Sequence, residues 1–340
     1  MGGFSLGGRK TAELLKSLKM QNEKIKYLGV VFSAAFVLFM INVDAFVVYV
    51  SLPTIAHDFA INVTQVSHVV IAYLLLLAST MLIFGKIEDK IGTKKLQLVG
   101  YILFTTASLM CGLASGIISL VVWRAIQGIG AAMMLNTAFA SIGKYLPENK
   151  KGWSMGIITT AAVIGIAAGA PLGGFITNFF SWRWIFFINI PLGILGISYA
   201  LKVLPSDTEC PKMEFKKFDF IGAVLSFLGI CGFSYLMSEG ANSGRNPSFF
   251  ISLLVCSFFC FIFFCMRESR CHDPLLDFHI FKNRAFSLGN IALFVIFMAL
   301  AGIDFIIPFY LVLAEGLKTY QVGLFMFLYS VVYSVLAPYA

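Results

Sequence analysis

Asp44 and Arg124 are charged residues that lie inside long apolar stretches of this sequence. Charged side chains are costly within hydrocarbon, so those that occur there are usually functional. An arginine beside a carboxylate lowers the proton affinity of the acid, whereas desolvation raises it. If the two side chains meet, Asp44 could take up and release a proton as its surroundings change. A static ion pair that holds two helices together is the alternative.

The composition excludes a water-soluble domain. Of the 340 residues, 59% are hydrophobic and only 12% are charged, whereas soluble domains are about half apolar and about a quarter charged. The net charge of +8 comes from basic clusters between apolar runs, which indicates membrane topology and no nucleic-acid partner. The seven cysteines contain no CxxC motif, so neither a disulfide framework nor a zinc site is indicated.

Apolar runs of about 20 residues predict membrane-spanning helices, because only helices satisfy the backbone of such segments in lipid. The chain is therefore predicted to be an all-α integral membrane protein with ten spans. They cover residues 27–50, 65–84, 96–115, 119–143, 153–177, 184–204, 218–238, 249–266, 285–314 and 320–340.

Basic residues predict the orientation of these spans. Nearly all of the 25 lysines and arginines fall in alternate connections, and the opposite set holds only Arg183, Arg245 and Lys318. This asymmetry predicts a multi-pass protein of the cell membrane with a cytoplasmic N-terminus. The tail at residues 1–26 is expected to be either a basic amphipathic helix on the membrane surface or a solvated segment.

The depth of the two charges supports their pairing. Asp44 lies about 9 Å and Arg124 about 8 Å from the outer ends of their predicted helices, at 1.5 Å per residue. No nucleophile–base set, metal cluster or phosphate-binding loop appears in the sequence, so an enzyme is not predicted.

Three segments resemble motifs of the major facilitator superfamily. Residues 85–95 read GKIEDKIGTKK, and residues 120–132, with Arg124 and Gln127, match the fourth-helix motif at each diagnostic position. In the family, the first segment is a cytoplasmic gating loop that latches one conformational state. Its residues here would be Gly85, Asp89, Lys90, Gly92 and Lys94. A simple basic reverse turn is the alternative.

The third segment lies in the fifth predicted helix and resembles the motif of antiporter branches of the superfamily. It comprises Gly165, Gly169, Pro171, Gly173 and Gly174. Ala170 stands where the usual motif has proline, which weakens the antiporter interpretation. Glycines spaced four residues apart also allow close helix packing, so a general packing face is the alternative.

Residues 181–193, SWRWIFFINIPLG, are similar to the drug:proton antiporter branch with fourteen helices. The resemblance implies a cytoplasmic tail at 1–26, a six-helix bundle at 27–204, two inserted helices with flanking loops at 205–284, and the first two helices of a second bundle at 285–340. Four further helices are expected beyond residue 340, so we expect a truncated chain.

Further residues are candidates for the transport site. Asp304 is a second intramembrane acid, expected to act in proton coupling. The candidates for lining a substrate cavity are Phe46, Tyr49, His68, Tyr73 and Gln127. Aromatic side chains suit lipophilic cations through cation–π contacts. Phe46 facing lipid and His68 at the membrane interface are the alternatives.

The resemblance implies proton-coupled export of small amphipathic or cationic compounds, known as multidrug efflux. Its partners would be protons, a small-molecule substrate and the lipid bilayer. The proton motive force would replace any cofactor, and a monomer is expected. The alternatives are export of one metabolite or self-made antibiotic, and a membrane scaffold or fragment without transport.

Overall fold

The computed structural model describes residues 6–207, 219–239, 247–271, 275–276 and 278–336. All regular secondary structure in these residues is helical. The helices are α1 Leu6–Asp58, α2 Val63–Ile91, α3 Thr93–Gly112, α4 Ile117–Tyr145, α5 Glu148–Phe179, α6 Trp184–Phe187, α7 Asn189–Val203, α8 Phe220–Glu239, α9 Pro247–Glu268, α10 Arg284–Leu313 and α11 Thr319–Leu336, with a 3₁₀ helix at Phe278–Lys282.

The prediction of an all-α membrane fold with about ten spans is confirmed. Among the described residues, seven helical segments are long and apolar enough to cross a membrane, with α6 and α7 acting as one segment, Trp184–Val203. Two shorter apolar helical segments, Phe220–Leu236 and Thr319–Leu328, correspond to the predicted seventh and tenth spans. The third predicted span corresponds to α3, which has Lys94 and Lys95 in its first turn.

Several helix boundaries differ from the prediction. Residues 6–26 are helical and continuous with the first span, and α1 continues through Pro53 to Asp58. It ends where Ala60 adopts a positive φ of 51°. The second span extends to Ile91, and the sixth is divided at Ile188 into α6 and α7. Apolarity marks where a helix crosses lipid, and it does not mark where the helix ends.

Helix α1 lies at the centre of the first seven helices. Its middle section is mostly buried, with Val37, Met40 and Val47 at 0% exposure. Helix α1 packs against α5, α4 and α7, and α2 packs against α4. We call the end that carries residues 91–93, 145–148 and 203 the basic end, and the other the opposite end.

Helix α5 approaches α1 closely along a row of glycines. A Cβ atom at Gly165 would lie 2.6 Å from the carbonyl oxygen of Phe39. At Gly169 it would lie 2.9 Å from the carbonyl oxygen of Val43, and at Gly173 it would lie 2.8 Å from that of Val47. Separations this short exclude any side chain, so the expected packing face exists and its partner is α1.

A second glycine contact joins α5 to α11. A Cβ atom on Gly174 would lie 2.5 Å from the carbonyl oxygen of Thr319, and one on Gly323 would lie 2.5 Å from that of Ala170. Thr54 and Thr319 lie nearby, with their hydroxyl oxygens 3.3 Å apart. The two helices beyond α9 therefore meet the first seven at the opposite end, through α5 and α1.

Candidate functional site

Asp44 and Arg124 form a buried ion pair between α1 and α4. Arg124 Nη1 donates to Asp44 Oδ2 at 2.7 Å, and both residues are 1% exposed. The pairing that helix depth predicted is present in the structure. Buried charges are retained only when they are paired and hydrogen-bonded, and both conditions hold here.

Two side-chain amides complete the surroundings of the carboxylate. Gln127 Nε2 donates to Asp44 Oδ1 at 3.0 Å, and Asn189 Nδ2 donates to the same oxygen at 2.6 Å. Both amides also donate to the hydroxyl of Ser108, at 3.2 Å and 2.9 Å respectively. All three residues are 0% exposed. Asp44 therefore accepts three hydrogen bonds, from α4 and α7, in a site closed to water.

The guanidinium of Arg124 is fixed from several sides. Its Cζ lies 4.2 Å from the ring centroid of Tyr73 and 5.8 Å from that of Phe186. It also donates to Gln127 Oε1 at 2.7 Å and to the carbonyl oxygen of Val69 at 3.4 Å. Buried cation–π contacts of this kind contribute about 2 kcal/mol. Tyr73 is therefore a contact of the cation, and its hydroxyl has no hydrogen-bond partner.

Sequence reasoning missed Asn189 and Ser108. Asn189 lies within the 181–193 motif. This motif was used only for its resemblance to a family branch, and no single residue in it was assigned a role. The break at Ile188 places Asn189 in the first turn of α7. Ser108 is an ordinary polar residue of α3 with no sequence signal. An asparagine in an apolar run was the only available clue, because such a side chain needs a buried partner.

The other predicted transport residues lie around this network without entering it. Phe46 and Tyr49 are each 8% exposed, and their rings meet edge to face at 5.8 Å. Phe46 therefore does not face lipid. Tyr49 lies within electrostatic range of Asp304 and Arg124, whereas Asp304 itself is half-buried on α10. His68 is half-buried in the first turns of α2, with Nδ1 3.2 Å from the carbonyl oxygen of Gln65.

The segment at residues 85–95, which was predicted to be a loop, is mostly helical. Gly85, Asp89 and Lys90 belong to α2, and only Gly92, at φ 98°, separates α2 from α3. Gly85 faces the amide of Asn136, since a Cβ there would lie 3.6 Å from Oδ1. A single residue with positive φ reverses the chain, and glycine adopts that conformation without strain.

Glu88, and not Asp89, is the buried acid of this segment. Glu88 is 3% exposed, accepts from Thr93 Oγ1, and pairs with Lys144 Nζ at 2.8 Å. The side chain of Asp89 is 63% exposed and lies 3.4 Å from the same Lys144. One lysine from α4 thus holds two neighbouring acids of α2. Lys90 is half-buried.

Lys94 joins α3 to the end of α7. Its Nζ donates to the carbonyl oxygens of Leu201 at 2.7 Å and Leu204 at 2.9 Å. Cations at helix C-termini satisfy otherwise unpaired carbonyl groups. Asp207 completes the connection by accepting from the backbone N–H groups of Lys94 and Lys95. The N-terminus of α3 is therefore capped by Asp207, which lies outside the 85–95 segment.

The tryptophan–arginine pair of the 181–193 motif closes the opposite end. Asp58 Oδ2 accepts from Trp182 Nε1 at 2.8 Å and from Arg183 Nη1 at 3.2 Å. Arg183 also lies 4.3 Å from the ring centroid of Trp182. The end of α1 is thereby fastened to the connection between α5 and α6. Within the part of the chain that the structure describes, no cluster of His, Cys, Asp or Glu side chains could hold a metal ion.

The network has one clear chemical capability. Its single carboxylate accepts hydrogen bonds from a cation and two amide donors, all contributed by other helices. Movement of α1 relative to α4 or α7 would separate the carboxylate from these donors. Only a change in the packing of these helices would free the carboxylate from its donors.

The family model that describes the Major Facilitator Superfamily matches residues 34–340. The riboflavin transporter RibZ of Clostridioides difficile (strain 630) is 32% identical over 89% of this chain and 64% of its own length. The uncharacterized MFS-type transporter Rv1250 of Mycobacterium tuberculosis is 31% identical over 88% of this chain and 51% of its own length. The putative multidrug resistance protein MdtD of Yersinia pestis (strain Pestoides F) is 29% identical over 86% and 62%.

Two solved structures show weaker likeness. An inward-facing, unoccupied bacterial homolog of the human lysosomal transporter Spinster has a TM-score of 0.45 at 18% identity, over 64% of this chain and 58% of that chain. A D-xylose-proton symporter has a TM-score of 0.46 at 14% identity, over 70% and 66%. Likenesses at this level support no inference about function.

The chain spans about half to two thirds of the length of the curated relatives it matches. Its sequence nevertheless matches the family model over most of its own length, and its helices supply the membrane fold that the motifs led us to expect. The chain belongs to the Major Facilitator Superfamily.

Proposed function

We propose that the protein is a secondary transporter that exports small amphipathic or cationic compounds in exchange for protons. The observation that carries this proposal is the carboxylate of Asp44, fully buried and held by Arg124, Gln127 and Asn189. The donors that hold this carboxylate lie on α4 and α7, so its hydrogen bonds depend on how α1 packs against both helices. An acid whose donors come from separate helices is suited to alternate between bound and released protons.

In the proposed mechanism, α1 to α7 rock against the unit that begins with α10 and α11. Alternating access in this superfamily involves movement of one helix bundle against the other around a central site. The structure joins the two units at the opposite end, through Gly174 and Gly323. Separation there would allow α1 to shift relative to α4 and α7, so that Asp44 would lose its donors, meet the outer solution and gain a proton. Closure would re-form the network and release the proton inward.

The proposed substrate class rests on the aromatic surroundings of the site. Tyr49 and Phe46 lie on α1 beside α5, and Tyr49 lies within electrostatic range of Asp304. Aromatic faces together with a nearby acid attract lipophilic cations. The likeness to the putative multidrug resistance protein MdtD supports the same class. We assign Asp304 to substrate charge recognition or to a second proton.

The proposed setting is the cell membrane, with the basic end in the cytoplasm and the segment at 85–95 as the cytoplasmic gate. The asymmetry of basic residues supports this orientation. The domain division at residues 26, 204 and 284, the branch with fourteen helices, and a monomeric state belong to the same proposal. Cysteine labelling from each side of the membrane, at positions 148 and 181, tests the orientation directly.

Ethidium export from vesicles with an imposed pH gradient tests the function. Asp44→Asn should abolish export, while Glu148→Gln should leave it unchanged, because the side chain of Glu148 is 90% exposed at the basic end. Rates are compared per amount of folded protein, measured by size-exclusion chromatography. Export by Asp44→Asn at the rate of the unmodified protein would contradict the role of Asp44.

A dedicated exporter is the second candidate, and the likeness to the riboflavin transporter RibZ favours it. Binding of ethidium and of riboflavin to the purified protein distinguishes the two. Riboflavin binding without ethidium binding, unaffected by Asp304→Asn, would support the dedicated transporter. Movement of neither compound across proteoliposomes would support the remaining alternative, a membrane scaffold or fragment.

A further inference from the structure

A pocket of about 600 Å³ lies between α8 and α9, at the ends of these helices that hold Asp219 and Glu268. It is separate from the Asp44 network. Glu268 lies within electrostatic range of Lys86 on α2, which places this pocket at the basic end. Its lining combines two arginines, Arg267 and Arg270, with apolar side chains.

The acids beside the pocket hold its walls and do not line it. Asp219 accepts from Arg267 Nε at 2.7 Å through Oδ1 and at 3.0 Å through Oδ2, and its side chain is 1% exposed. Asp219 also accepts from the backbone N–H of Gly222 in the first turn of α8. Glu268 is 3% exposed and accepts from the backbone N–H of Leu276. Among the described residues, the two charged groups that line the pocket are therefore guanidinium groups, and Arg267 is held in place by Asp219.

The apolar wall of the pocket is continuous with the surface that α8 and α9 present outward. Ile221 is 56% exposed, Phe263 54% and Met266 50%, and all three line the pocket. In a membrane, these exposed apolar side chains face acyl chains. The pocket thus has one cationic end and one end that opens to lipid, which is the polarity of a phospholipid with an anionic headgroup.

We propose that this pocket binds an anionic phospholipid from the leaflet at the basic end. The phosphate would lie against Arg267 and Arg270, because guanidinium groups bind phosphate oxygens in bidentate fashion. The acyl chains would lie on Phe263 and Met266. Basic pockets between membrane helices recognise lipid headgroups in this way. A free phosphate ion would gain nothing from the apolar wall, so the lipid is the occupant to which the geometry points.

Titration of the purified protein with short-chain phosphatidylglycerol, followed by native mass spectrometry, tests the proposal. Arg270→Gln should weaken phosphatidylglycerol binding about fivefold, since one basic residue contributes about a factor of five to anionic-lipid attraction. Arg270 is exposed, so the protein should still fold. Lys202→Gln is the matched control, because Lys202 is also exposed at the basic end and lies on α7, away from the pocket. It should bind as the unmodified protein does.

Each other result overturns the proposal. If Arg270→Gln binds phosphatidylglycerol as tightly as the unmodified protein, the lipid does not bind in this pocket. If Lys202→Gln loses as much binding as Arg270→Gln, the lipid is attracted to the whole basic end and to no single site. If phosphatidylcholine with the same acyl chains binds as tightly as phosphatidylglycerol, the anionic headgroup is not recognised. Full displacement of phosphatidylglycerol by millimolar inorganic phosphate identifies an anion site without lipid specificity. None of these measurements depends on transport.

Discussion

Replacement of Asp44 by asparagine should destabilise the protein through the charge left behind on Arg124. Asparagine has the same shape, yet it presents an N–H₂ group to a site where three donors converge on the carboxylate. Removal of one partner from a buried ion pair costs about 3 to 5 kcal/mol. Arg124 keeps its bonds to Gln127 Oε1 and to the carbonyl oxygen of Val69, so we expect the lower end, about 3 kcal/mol.

A double-mutant cycle isolates the pair from other effects of the substitution. Asp44→Asn and Arg124→Gln should each lower the free energy of unfolding, measured by titration with sodium dodecyl sulfate in mixed micelles. The double variant removes both charges, so its loss should be smaller than the sum of the two single losses, by about 1 to 3 kcal/mol. Additive losses, or an Asp44→Asn variant as stable as the unmodified protein, would refute an energetically coupled buried pair.

Three further predictions follow from other contacts. Gly165→Ala should lower stability by about 1 to 3 kcal/mol, because the new Cβ would lie 2.6 Å from α1 backbone, whereas Gly156→Ala on the same helix meets nothing within 4 Å and should be neutral in the same unfolding titration. Asn189→Ala should cost about 1.5 to 3 kcal/mol, since it removes a hydrogen bond to a charged group, and should reduce ethidium export; full export with unchanged stability would contradict its position on Asp44. Glu88→Gln should cost more stability than exposed Asp89→Asn, for which about 0 to 1 kcal/mol is expected; loss of export by Asp89→Asn with unchanged stability would identify Asp89 as a gating residue.

The spans and their order were predictable from the sequence because lipid imposes a simple length rule. About 20 apolar residues must be helical, and this rule located the apolar helical segments in the regions that the structure describes, although it missed the 3₁₀ helix at Phe278–Lys282. The ends of the helices were harder to predict. Residues 85–91 contain two lysines, two acids and two isoleucines, and nothing in this composition distinguishes a loop from the extra turns of α2. The helix ends at Gly92, whose φ is 98°. The sequence contains other glycines nearby, so it does not indicate which of them adopts a positive φ.

The charged residues at the centre of the site were predictable from the sequence, whereas the neutral residues around them were not. Asp44 and Arg124 stood out because a charge in hydrocarbon needs a partner, and equal depth identified that partner. Ser108 and Asn189 are neutral, so their contacts depend on how α3 and α7 are rotated about their axes. Rotation also decides that Glu88 is buried and Asp89 exposed, although the two residues are adjacent. The direction in which these side chains point depends on how helices that are distant in the sequence pack together.

Proton counting on the purified protein tests the central claim most directly, namely that Asp44 exchanges a proton when its partners move. Ethidium is added to the protein in weakly buffered detergent solution, and a pH-sensitive dye reports protons released. The unmodified protein should release protons as ethidium binds, and Asp44→Asn should bind ethidium without releasing any. Equal release by both proteins, or ethidium binding without release by the unmodified protein, would contradict the account.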